Sequence, residues 1–165
     1  MWRALPKAVR MTGVLLLPAI LQMLAMLADE GWYHRRRGLP KWERLGHPLD
    51  TLSVAACYGC LVGTTPGPNS LVAYVGLASF SCLFITKDEL VHTRLCSASE
   101  HWLHAVLFVL HPIVFLAFGI IWWSGQNLWL IRAQAAATLS FACYQLLYWS
   151  VPWNKPVQSQ IASEP

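Results

Sequence analysis

Five stretches of almost unbroken apolar sequence, joined by short polar turns, take up most of the 165 residues, and such stretches are stable only where they are shielded from water. They cover residues 12–28, 49–63, 70–86, 101–123 and 128–149. In lipid every backbone N–H and C=O must be satisfied internally, so the stretches are expected to be helices. A helix needs roughly 17–25 residues to cross the hydrocarbon core, a length the first, fourth and fifth meet; the second and third are short. Only 12% of the residues are charged, against about 25% in a soluble domain. Disorder is excluded by the same figures. The net charge of +4 has no groove-reading motif around it, so no nucleic-acid partner is expected. The expectation is an all-α, polytopic integral membrane bundle of about five transmembrane helices. It forms one domain over residues 1–155, followed by a polar tail over 156–165.

Turn chemistry supports these divisions. Thr64-Thr65-Pro66-Gly67-Pro68-Asn69 separates the second and third stretches, and Ser124-Gly125-Gln126-Asn127 the fourth and fifth. His47-Pro48 is expected to open the second helix, and Pro112 to kink the fourth.

Orientation follows from Lys and Arg. Arg35, Arg36, Arg37, Lys41, Arg44, Lys87, Arg94 and Lys155 fall on one side, eight in all, against Arg3, Lys7, Arg10 and Arg132 on the other. The positive-inside rule then places the first and third loops and the C-terminus in the cytoplasm, with the N-terminus outside, as in a bacterial inner-membrane protein. Trp32, Trp42, Trp102 and Trp149 would mark the cytoplasmic interface, and Trp122, Trp123 and Trp129 the opposite one. A cleaved signal peptide over residues 1–28 is the competing reading. The residues before such a cut, Met26-Leu27-Ala28, lack the small residue wanted at the first of the three, so a retained span is preferred.

The ionisable residues are distributed very unevenly. All six histidines, His34, His47, His92, His101, His104 and His111, lie in or beside the two basic loops or in the adjoining half of the fourth stretch. Asp29, Glu30, Asp50, Asp88, Glu89 and Glu100 accompany them, and the opposite loops hold no His, Asp or Glu. Glu30 and His34 are four apart, His47 and Asp50 three, Glu89 and His92 three, and Glu100 and His104 four. Residues so spaced share a helix face, so four helices each aim a carboxylate and an imidazole into one layer.

Imidazole with carboxylate is a ligand set for zinc, iron or manganese. Glu89-Leu90-Val91-His92 resembles, at motif level, the Glu-x-x-His of ferritin-like di-iron bundles, although no second such motif accompanies it. His101-Trp102-Leu103-His104 and the histidine richness resemble the boxes of integral-membrane fatty-acid desaturases and hydroxylases, which bind two irons at the cytoplasmic face. The chain departs from that pattern in having six histidines and no doubled box. The expected metal ligands are Glu30, His34, His47, Asp50, Glu89, His92, Glu100, His104 and His111. His111 would lie ~16 Å along its helix from Glu100, near the middle of a ~30 Å core, where an ionisable group is expensive. The plain alternative there is a neutral histidine bonded to a carbonyl freed by Pro112. For Asp29, Glu43, Asp88 and His101, pairing with Arg35–Arg37 or Arg94 at the interface is preferred. Cys57-Tyr58-Gly59-Cys60 reads as buried small side chains, as do Cys82 and Cys143, whereas Cys96 could be a metal or redox thiol.

The functional expectation is a metal-dependent membrane enzyme, a di-iron oxidoreductase acting on a lipid-like substrate. Which residues are catalytic is unknown at this stage. Arg94 and Arg35–Arg37 would hold an anionic head group or anchor to lipid. A zinc-dependent membrane hydrolase, a metal carrier and a haem-binding electron carrier are the alternatives. So small a chain enclosing a lipid is expected to work with a membrane partner or as a homo-oligomer.

Overall fold

The computed structural model describes residues 7–89, 96–125 and 127–150, with side chains over 12–149 of these, and every regular element in it is a helix. Helix α1 spans Lys7–Ala28 and runs on through a π-helical turn, Asp29–His34, and a last α turn, Arg35–Arg37. Gly38, at φ 74°, ends it in a left-handed conformation that glycine adopts without strain. Helix α2 spans Lys41–Gly63, α3 Pro68–Phe84 with a 3₁₀ turn at Ile85–Asp88, α4 Ala98–Ser124 and α5 Leu128–Ser150. Ser97 caps α4 by accepting from the Glu100 N–H, and Gly125, at φ 67°, closes its other end.

Three segments are long and apolar enough to cross a membrane: Thr12–Arg37, Pro68–Asp88 and Ala98–Ser124. The third stretch therefore gains length over its sequence-based limits, through the turn that carries it to Asp88. Helix α2 is also longer than expected, since Pro48 lies inside it rather than opening it. Glu43, Arg44, His47 and Asp50 make its first half polar. In α5, Arg132, Gln134 and Gln145 have the same effect.

Helix α1 packs on α4, and α2 lies between α5 and α3. The core fills the half of the bundle away from the Asp29–Gly38 end. Tyr58 and Leu61 of α2, Tyr74 of α3, and Phe115, Phe118 and Trp122 of α4 are its main members. Tyr74 donates to the Phe115 carbonyl at 2.6 Å, and its ring fits against Gly119, where a Cβ would stand 3.1 Å away. Leu17, Leu21 and Leu24 of α1, Val72 and Leu83 of α3 and Leu116 of α4 point outward, as lipid-facing side chains would.

The tryptophans divide differently from the sequence-based expectation. Trp32, Trp42 and Trp102 are exposed at one end, and Trp123 and Trp129 at the other. Trp122 and Trp149 are buried, because each indole N–H has a partner inside the bundle: the Thr64 carbonyl at 3.1 Å and Glu30 Oε1 at 2.6 Å.

Candidate metal centre

The π-helical turn places three ligand-type side chains together. Bonds from i to i+5 widen the turn, so residues five apart come onto one face. Asp29 and His34 are five apart, and His34 Nε2 lies 3.2 Å from Asp29 Oδ2. Glu30, four before His34, meets the other side of the ring, with Oε2 3.3 Å from Nδ1. From the packed face of α4, His104 Nε2 donates to Asp29 Oδ1 at 3.1 Å. Asp29, Glu30, His34 and His104 are all buried, at 7% exposure or less.

Donor atoms of Asp29, His34, Glu100 and His104 lie within 4.8 Å of one another, as do those of His47, Asp50 and Asp88. The groups adjoin, with the His34 and His47 ring centroids 4.7 Å apart. Ligands ~2.0–2.2 Å from a tetrahedral ion are about 3.4 Å from each other, close to these hydrogen-bonding distances. Histidine and aspartate can thus share an ion at the spacing they already hold, and the donor set fits zinc or iron.

Around the first group the bonds are orienting. Glu30 accepts from the Trp149 indole with one oxygen and faces His34 Nδ1 with the other. That fixes the His34 ring and leaves Nε2 for Asp29 or an ion. Arg37 turns inward, bonding Glu43 Oε2 at 2.8 Å and Glu100 Oε1 at 3.1 Å.

The sequence-predicted ligands do not form one set. His34, Glu100 and His104 belong to the first group, and His47 and Asp50 to the second. Glu30 stands behind His34 as its orienting partner. Glu89 is turned away: it is half-buried and lies 3.6 Å from the equally peripheral His101 Nδ1, because the 3₁₀ turn points Asp88 inward instead. His92 and Arg94 lie outside the described residues. His111 is engaged at both ring nitrogens, by Gln22 at 3.2 Å and Ser81 at 3.1 Å. Its partners are therefore side chains, and not a carbonyl freed at Pro112.

Asp29 and Asp88 are the residues that sequence reasoning assigned to interface pairing and the structure brings into the groups. Glu43 does pair with Arg37, but fully buried. Burial pushes the Cys96 thiol up, which disfavours a free reactive thiolate there. Cys57 donates to the Ser53 carbonyl inside α2, and neither it nor Cys60 is in a disulfide.

A cavity of about 360 Å³ extends from this layer toward the middle of the bundle. Asp29, His34, His47 and His104 line one end and His111 and Gln22 lie deeper, with Met26, Phe108 and Phe141 among the apolar walls. Its size falls within the ~300–1,000 Å³ of small-molecule sites. Helices α1 and α5 form opposite walls and are tied at both ends: Trp149 to Glu30 and Arg35 to Tyr144 near the cluster, Asn127 to Thr12 at the other. Between those ties Met23 and Leu27 of α1 are both exposed and cavity-lining, so the chamber borders the outer surface there.

No family model matches the chain, and neither does a curated protein or a solved structure.

Proposed function

We propose that this chain is an integral-membrane, metal-dependent enzyme, an iron-dependent oxidoreductase acting on an apolar, lipid-like substrate. The observation that carries the reading is the meeting of Asp29, His34 and His104, all buried, with each histidine 3.1–3.2 Å from Asp29, at one end of an apolar cavity. Two histidines and a carboxylate with open positions form the ligand set of non-haem iron(II) sites that activate dioxygen. Glu30, held by Trp149, orients His34. His47 stands against the His34 ring at the edge of the cavity, placed to exchange a proton with a bound substrate. The apolar walls exclude water, and the exposed Met23 and Leu27 offer a route in from the bilayer. A dinuclear centre would take its second ion at His47, Asp50 and Asp88. In this reading the cluster faces the cytoplasm.

Zinc-dependent hydrolysis is the second reading. It is favoured by the same count of three ligands with room for a water. A carrier is disfavoured, because the Tyr58, Phe115, Phe118 and Trp122 core closes the opposite half of the bundle. Both ring nitrogens of His111 are occupied, which disfavours it as a haem ligand.

Elemental analysis of the protein in mild detergent, with an absorption spectrum, tests the proposal. Iron without a Soret band, lost in both His34→Ala and His104→Ala, is the expected result. Zinc in place of iron moves the reading to hydrolysis, and metal content unchanged in both variants removes the site.

A further inference from the structure

Each donor group meets a basic side chain, Arg37 at Glu100 in the first and Lys87 in the second, and they differ in how completely that cation closes the carboxylates. In the second, the carboxylates already close on a cation supplied by the chain. Lys87 Nζ donates to Asp50 Oδ1 at 2.6 Å and Oδ2 at 2.7 Å, and to Asp88 Oδ2 at 3.0 Å. The ammonium also lies 4.5 Å from the centre of the Phe84 ring. Helix α2 is shaped to admit it. A Cβ at the buried Gly46 would stand 3.2 Å from Asp88 Oδ1, 3.4 Å from Lys87 Nζ and 3.5 Å from its Cε. The glycine thus leaves the opening through which the lysine reaches the two aspartates. An ion bound ~2.0–2.2 Å from Asp50 and Asp88 would need the same oxygens and nearly the same space as the ammonium.

We infer that Lys87 is the built-in second cation of this centre, so that the chain binds one metal ion, in the Asp29, His34 and His104 group, and not two. The inference rests on the metal-dependent reading above and narrows it to chemistry that a single ion supports. Asp50, Lys87 and Asp88 become a fixed wall beside the cavity in which the ammonium offsets one of the two carboxylate charges, and His47 is left next to the ion instead of beneath a second one.

Metal stoichiometry decides it. The full-length protein in detergent is loaded with iron(II) under argon, and in parallel with zinc(II), desalted and analysed for metal per chain. One ion is expected in the unaltered protein and two in Lys87→Met, where the His47, Asp50 and Asp88 donors are released. Asp50→Asn in the otherwise unaltered protein should still hold one, and it decides alone if Lys87→Met is not recovered folded. Two ions in the unaltered protein, one in a folded Lys87→Met, or loss of the ion in Asp50→Asn overturns the inference while leaving a metal enzyme standing. No ion in the unaltered protein removes the metal-dependent reading itself, and this inference with it.

Discussion

Trp149 donates its indole N–H to Glu30 Oε1 at 2.6 Å, and Glu30 holds His34 from behind, so a residue of the last helix governs a ligand on the first. Outer partners of this kind typically change metal affinity 10–100-fold when removed. Trp149→Phe keeps an aromatic side chain but loses the donor together with the five-membered ring; it should weaken metal binding by that factor in a chelator competition while the protein stays folded. Glu89→Ala is the contrasting change. Glu89 is only half-buried and pairs with His101 away from the cluster, so its removal should leave metal affinity within twofold. Sequence spacing alone would have reversed these two expectations. A carboxylate three before a histidine looks like a ligand pair, whereas an indole 119 residues from its carboxylate leaves no local signal. What the sequence did make legible was the layer itself. His34, His47, Asp50, Glu100 and His104 meet where the uneven distribution of His and acid placed them.

The inward facing of Asp29 and Asp88 was not legible, because two short elements depart from the α period. Asp29 and His34 share a face only in a π-helical turn, and Asp88 replaces Glu89 on the inner face only because α3 tightens to 3₁₀ at its end. Spacing rules built on three and four residues select Glu30 and Glu89 instead. The π turn can be tested as an element. A Cβ at Gly31 would meet nothing within 4 Å, so Gly31→Ala should leave metal binding intact and stabilise the helix by up to about 1 kcal/mol. Inserting an alanine after Gly31, in contrast, cannot be absorbed by a turn that is already wide; it puts Asp29 and His34 six apart and rotates Arg35–Arg37 about 100° out of place. The insertion should lower metal affinity at least tenfold and cost Arg37 its bonds to Glu43 and Glu100, with helical circular dichroism retained. Equal affinity in the substitution and the insertion would show that the wide turn does not position the ligands.

At the scale of the molecule, the issue is how many helices cross the membrane. Composition marks α1, α3 and α4, and leaves α2 and α5 too polar to stand out. Geometry adds what composition does not. Asp50 of α2 meets Lys87 at the cluster end, and the carbonyl of Thr64, just past α2, meets Trp122 at the other, so α2 runs beside α3 and α4 for their full depth. Helix α5 is tied in the same way, by Asn127 to Thr12 at one end and Trp149 to Glu30 at the other. At 23 residues each, α2 and α5 are ~34 Å long, enough for a ~30 Å core. Their polar side chains are directed at each other: Thr51 donates to Gln145 Oε1 at 2.7 Å, both buried. Such bonds between membrane helices contribute about 0.6 kcal/mol on average and at most about 1.7. Thr51→Val should therefore lower thermal stability slightly, and Thr51→Val with Gln145→Leu should recover part of the loss. Five crossings, an odd number, would put the termini on opposite sides, and by the positive-inside rule the basic loops would then put the cluster and the C-terminus in the cytoplasm. A phosphatase fused after Lys155, active only outside the cytoplasm, should be silent, and a fluorescent protein at the same position should be bright. An active phosphatase there would reverse the orientation and place the metal centre on the outer face. A silent phosphatase both there and when fused after Thr65, in the turn between α2 and α3, would mean that α2 does not cross.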